Sequence, residues 1–192
     1  MAKLYFRHGT VGSAKTMNLL AVAHNYQAQG KRVVVIKPAL DDRFGKTLVR
    51  SRAGLEREAD LVVSAGDVLD SDRFTGVACA LVDEAQFLTA AIVDQLRRIS
   101  LEQDVPVICY GLRTDFRTNL FDGARRLLEI ADSIEEIKTT CYFCDRKALF
   151  NLKLRDGRAT IDGPSIELGG EEKYLPVCAR CYEEQLQRAA RL

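Results

Sequence analysis

Lys3-Leu4-Tyr5-Phe6 is a short apolar run that leads into Gly9-Thr10-Val11-Gly12-Ser13-Ala14-Lys15-Thr16, and a helical pattern begins at Met17. A strand, a Gly-rich turn and a Lys-Thr pair opening a helix form the pattern of a P-loop. Backbone N–H groups in such a turn surround phosphate oxygens, the lysine reaches the β/γ-phosphates and the hydroxyl holds Mg²⁺. The helix N-terminus adds positive potential at the same point. Gly9 through Thr16 are therefore the expected binding residues for a nucleoside triphosphate. The usual pattern carries a second glycine where this chain has Ala14. If that position needs a left-handed backbone, the Ala14 Cβ costs about 1–2 kcal/mol.

Working outward, strand-like and helix-like segments alternate up to about residue 138. Met17 to Gln29 reads as a helix stopped by Gly30, and Arg32-Val33-Val34-Val35-Ile36 as a strand buried on both faces. Leu61-Val62-Val63, Ala78 to Val82 and Val105 to Tyr110 are further strands. Helices are expected from Thr89 to about Leu101 and from Phe121 to Ala131. This alternation predicts an α/β fold, a mostly parallel sheet with helices on both faces. From Cys141 onward the pattern changes to paired cysteines, short polar strands and a Gly-rich stretch, with a last helix from about Cys178. Two units are expected, 1–140 and 141–192.

The 192 residues include 28 basic and 27 acidic side chains, a net charge of +1, and 47% are hydrophobic. This balance supplies no field for nucleic acid or an anionic membrane. No apolar run is long enough to span a bilayer and no leader pattern opens the chain, so a cytoplasmic protein is expected. In a reducing compartment the 6 cysteines are not expected to form disulfides.

Two further constellations carry chemistry. Leu81-Val82-Asp83-Glu84 is an apolar strand ending in two carboxylates, at the sheet edge where α/β proteins bind ligands. Asp83 would hold Mg²⁺ opposite Thr16, and Glu84, pointing the other way, is free to act as general base. Cys141-x-x-Cys144 and Cys178-x-x-Cys181 can supply four thiolates to one structural Zn²⁺, while Cys79 and Cys109 sit in apolar strands as core residues.

Taken with Asp41-Asp42-Arg43-Phe44, Asp83-Glu84-Ala85-Gln86-Phe87, Tyr110-Gly111-Leu112 and Gly169-Gly170 through Lys173-Tyr174, these motifs resemble the type II, zinc-containing thymidine kinases along nearly the whole chain. The resemblance implies a P-loop (RecA-like) core with a zinc-ribbon lasso. It also implies transfer of the ATP γ-phosphoryl to the 5′-hydroxyl of thymidine, with Glu84 as base. On this reading Gln86 belongs with the nucleotide-contacting block. Asp41, Arg43, Phe87, Leu112, Phe116, Phe121, the lasso segment Ser165-Ile166-Glu167-Leu168-Gly169 and Tyr174 belong with the substrate. A homotetramer and feedback inhibition by thymidine triphosphate are further implications. Two other readings share the core pattern: a P-loop ATPase acting on nucleic acid, and a catalytically impaired nucleotide-binding zinc-ribbon protein.

Overall fold

Val33, Val34, Val35 and Ile36 are all buried, and their side chains alternate between two apolar layers. Such a strand needs cover on both faces, and the chain supplies it. The computed structural model describes residues 1–166 and 173–191. The expected lasso residues Glu167, Leu168 and Gly169 lie outside the described residues.

The elements run β1 (Leu4–His8), α1 (Lys15–Ala28), β2 (Val33–Pro38), β3 (Leu48–Arg50), β4 (Glu56–Glu58), β5 (Leu61–Val63), β6 (Cys79–Val82), α2 (Ala90–Glu102), β7 (Val107–Gly111), α3 (Asp122–Ile130), β8 (Ser133–Glu136), β9 (Phe150–Arg155), β10 (Arg158–Thr160), β11 (Tyr174–Val177) and α4 (Ala179–Ala190). Among the described residues the main sheet has six strands in the order β5-β2-β6-β7-β1-β8. Every pairing in it is parallel. On one face Leu19, Leu20 and Ala23 of α1 pack against Val33, Val35, Cys79, Leu81, Ile108 and Tyr110. On the other, Ile92, Val93 and Leu96 of α2 and Ala124 and Leu127 of α3 pack against Leu4, Phe6, Ala80, Val82 and Cys109. Cys79 and Cys109 are core residues, as their apolar surroundings led one to expect.

Local signals set the element ends. Gly30, with φ +70, follows α1. Thr89 caps α2 by accepting the Ile92 N–H. Three strands lie beyond the sequence reading. β8 is polar and joins the sheet at its edge beside β1, and β3 and β4 form an antiparallel hairpin. No described helix is long and apolar enough to cross a membrane.

The order of strands has one consequence for chemistry. β6, β7 and β1 are neighbours, so the loops after Val82, Gly111 and His8 emerge side by side. The Gly9 N–H donates to Gly111 O at 3.2 Å, joining two of these loops directly.

The C-terminal segment builds a three-stranded antiparallel sheet, β10-β9-β11, backed by α4. Its small core holds Leu152, Val177 and Tyr182 beside Cys141, Cys178 and Cys181. The Tyr182 hydroxyl donates to Phe116 O at 2.7 Å and ties this unit to the main sheet's loops.

Candidate active site

The glycine loop wraps the start of α1. Ala14 takes φ 61 and ψ 26, the left-handed conformation that the missing glycine would have accommodated, and Gly12 takes φ 72. The first helical donor into the loop is Asn18 N, to Ala14 O at 2.9 Å. The N–H groups of Lys15, Thr16 and Met17 in the first turn therefore have no helical acceptor. They are available to an anion. Gly9 is close-packed: a Cβ there would stand 2.4 Å from Ser13 Oγ and 2.5 Å from Ile137 O. Lys15 Nζ donates to Thr10 O at 2.7 Å. Burial lowers the Lys15 pKa to about 8, although the Glu84 and Asp83 carboxylates favour its charge.

The acidic strand end faces this loop. Thr16 Oγ1 donates toward Asp83, with both carboxylate oxygens at 3.2 Å. Burial first, and the Glu84 charge second, raise the Asp83 pKa above the usual carboxylate range. Glu84 also adopts a left-handed backbone, φ 47. It is not free, however. One carboxylate oxygen is ion-paired to Arg43 Nη2 and the other accepts from Gln86 Nε2 at 2.5 Å. Arg43 Nε donates to Asp41 at 2.6 Å. Burial opposes the Arg43 charge, but the two carboxylates outweigh it and hold the guanidinium firmly protonated.

Two clefts meet at this cluster. One is lined by Val11 through Met17 with Phe44, Arg50 and Ser51. The other is lined by Gln86, Phe87, Phe116, Phe121, Ser165, Ile166 and Tyr174. Val11, Arg43, Arg52, Glu84 and Leu112 border both. A group held in the first cleft can thus reach one held in the second past Glu84 and Arg43. Phe87 and Phe121 meet edge to face at 5.8 Å and form one aromatic wall of the second cleft, and Phe116 and Tyr174, 6.2 Å apart, form another.

Several expected residues sit elsewhere than their grouping implied. Asp41 lines neither cleft. It is buried behind Arg43 and also ion-pairs Lys37 at 3.6 Å, so it orients the guanidinium. Gln86, expected with the nucleotide block, borders the aromatic cleft, and its Oε1 accepts from Leu112 N at 2.9 Å. Gly9 and Thr10 are buried beneath the loop and shape it from behind. Sequence reading missed Arg52, Thr114, Asp115 and Asn151 in the cleft walls. Asn151, from β9, accepts the Val11 N–H at 2.8 Å. A contact between residues 140 positions apart has no local sequence signal. Arg52 follows a hairpin strand too short to show a period.

The four cysteines converge. The Sγ atoms of Cys141, Cys144, Cys178 and Cys181 all lie within 4.8 Å of one another. Cys144 Sγ is 3.7 Å from Cys178 Sγ and 3.8 Å from Cys181 Sγ. A tetrahedron with Zn–S bonds of about 2.3 Å has edges of about 3.8 Å, the spacing of these two pairs, so the four thiols are a fitting donor set for zinc.

Fold and site define a mixed α/β protein with a mostly parallel sheet, a cluster of charged and hydroxyl side chains at the strand ends, and a C-terminal four-cysteine unit. The family model described as thymidine kinase matches residues 2–182. A thymidine kinase of Streptococcus pyogenes serotype M3 is 44% identical over 189 residues, covering 95% of this chain and 97% of the relative. Those of Chromobacterium violaceum (44% over 183 residues, 95% and 98% covered) and Streptococcus thermophilus (45% over 182 residues, 94% and 93% covered) are similar to the same degree. The chain belongs to the thymidine kinase family.

Proposed function

We infer that this chain transfers the γ-phosphoryl group of ATP to the 5′-hydroxyl of thymidine, giving thymidine monophosphate. The observation that carries the reading is the shared border: Glu84 and Arg43 stand where the glycine-loop cleft opens into the aromatic cleft. In this proposal residues 9–16 form a P-loop for the triphosphate. Lys15 and the helix N-terminus balance its charge, and the aromatic cleft takes the nucleoside. Leu112, Phe87, Phe116 and Phe121 pack on it, and Tyr174, Ser165 and Ile166 close over it. Phosphoryl transfer asks the protein mainly for alignment and charge neutralisation. Arg43, held from behind by Asp41, is placed to meet the transferring phosphate. As it does so, its hold on Glu84 loosens, and Glu84 accepts the proton of the attacking hydroxyl.

Thr16 and Asp83 are the residues that would hold Mg²⁺. Their oxygens stand 3.2 Å apart, close to the spacing of about 3 Å between neighbouring ligands of an octahedral Mg²⁺. When bound, the ion would neutralise charge on the phosphates. Zinc on the four thiolates would leave no open position and serve structure. We place the division between the two units near residue 140. A homotetramer and inhibition by thymidine triphosphate belong to the same proposal, testable by light scattering and by titration of the inhibitor.

The decisive experiment measures thymidine monophosphate formed from ATP by the native chain and by Glu84→Gln. A drop in kcat of about 10²–10⁴-fold is expected. No transfer by the native chain to any nucleoside would overturn the kinase reading, and equal activity of the two proteins would remove the role of Glu84.

A further inference from the structure

Three successive carbonyls after β10 are each held by a cation. Arg117 Nε donates to Ile161 O at 2.9 Å, and Arg117 Nη2 donates to Gly163 O. Between them, Asp162 O accepts from Lys153 Nζ at 3.1 Å. The third guanidinium nitrogen, Nη1, reaches Ser165 Oγ at 3.5 Å. Both cations rest on one ring: Arg117 Cζ is 5.0 Å and Lys153 Nζ 4.6 Å from the Phe116 centroid. Phe116 is 1% exposed and borders the aromatic cleft together with Ser165 and Ile166.

The two cations come from different units. Arg117 follows Phe116 in the loop after β7, and Lys153, 1% exposed, belongs to β9. The segment they hold has little regular structure of its own, so ordering it costs conformational entropy. A guanidinium suits this task because its planar fork binds several acceptors in one fixed geometry, while its face stacks on an aromatic ring. The same ring forms part of the nucleoside wall. The hold on the segment and the shape of the cleft therefore share one side chain.

We propose that Arg117 is a positioning residue for the nucleoside, clamping residues 161–166 over the aromatic cleft with Lys153 as the second jaw. The proposal rests on the reading of that cleft as the thymidine site. Arg117 takes no part in the chemistry, so its loss is felt in nucleoside affinity and not in turnover.

The test uses the 192-residue, zinc-loaded protein with Arg117→Gln and Arg117→Lys; the lysine variant keeps the charge and one donor nitrogen if the glutamine variant folds poorly. Steady-state kinetics should show the thymidine KM raised at least fivefold in Arg117→Gln, with kcat and the ATP KM within twofold of native, and a smaller rise in Arg117→Lys. Hydrogen exchange without substrates should show amides of residues 161–166 exchanging at least fivefold faster, with residues 150–155 unchanged. Unchanged exchange in both variants, or a fall in kcat with the thymidine KM unmoved, would overturn the clamp. If the native chain failed to phosphorylate thymidine, the kinase reading would fall while the exchange result still decided whether the clamp exists.

Discussion

Three positions in the glycine loop form a graded test of backbone strain. Ala14 sits at φ 61 and ψ 26, where an L-residue pays about 1–2 kcal/mol relative to the right-handed region. Ala14→Gly removes that strain. It also frees the unfolded chain, which takes back about 0.4–1 kcal/mol. The net expectation is a gain of about 0.5–1 kcal/mol, or roughly 1–4 °C in midpoint for a chain of this size. Gly12→Ala runs the same arithmetic in reverse. Its φ is 72, and an added Cβ would meet only Arg52 Nη1 at 3.6 Å, an ordinary contact, so the loss should be of similar size. Gly9→Ala is different in kind. Its Cβ would stand 2.5 Å from the Ile137 carbonyl oxygen, and that backbone cannot yield as a flexible side chain would. Overpacking of this sort costs about 1–3 kcal/mol. Thermal and urea unfolding of the zinc-loaded proteins should rank Ala14→Gly above native, then Gly12→Ala, then Gly9→Ala. A destabilised Ala14→Gly, or a Gly12→Ala more stable than native, would refute the strain argument.

Other outcomes follow from the same geometry. Cys144→Ser should lower bound zinc, measured by metal analysis, from one ion per chain to well under one. The midpoint should fall by roughly 5 °C or more, because binding energy at such a site is folding energy. Gln86→Leu strips the Leu112 N–H of its acceptor and Glu84 of a donor at a residue 2% exposed. A loss of about 1–3 kcal/mol in urea unfolding is expected, and less than about 0.5 would show the bonds to be dispensable. Lys15 titrates near 8 in the folded chain because burial disfavours its charge. Bound triphosphate favours the ammonium, so ATP affinity should fall as pH rises above about 8, with proton uptake on binding visible by calorimetry in buffers of different ionisation enthalpy. Between about 8 and the ordinary lysine value the unfolded chain holds the extra proton, so this residue's contribution to stability rises with pH in that window.

What could be read from the chain was what short-range chemistry writes into it. Val33 to Ile36 is a buried strand in any register, because four consecutive branched side chains cannot face water. Gly12, Lys15 and Thr16 mark a glycine turn at the start of a helix by their spacing alone. The two Cys-x-x-Cys pairs mark a candidate metal site, and their four Sγ atoms do converge. The sequence posed a left-handed backbone at Ala14 only as a condition, and the φ of 61 settled it. β8 escaped notice because Ser133-Ile134-Glu135-Glu136 is a polar edge strand whose place beside β1 depends on pairing and not on hydrophobicity.

Convergence was beyond the sequence. That Glu84 would be tied to Arg43, that Asp41 would stand behind the cleft and not in it, and that Asn151 would reach the Val11 amide all depend on which strands are neighbours. Residue types and local spacing set the chemical repertoire of this protein: a glycine turn with a lysine and a hydroxyl, an acidic strand end and four thiols. Only the order β6-β7-β1, and the long-range contacts of Tyr182 with Phe116 and of Arg117 with Ile161 and Gly163, turned that repertoire into adjoining clefts. The physical reason is range: a turn or a cap is decided within a few residues, whereas side chains 40 to 140 positions apart meet only where buried surfaces force whole elements together.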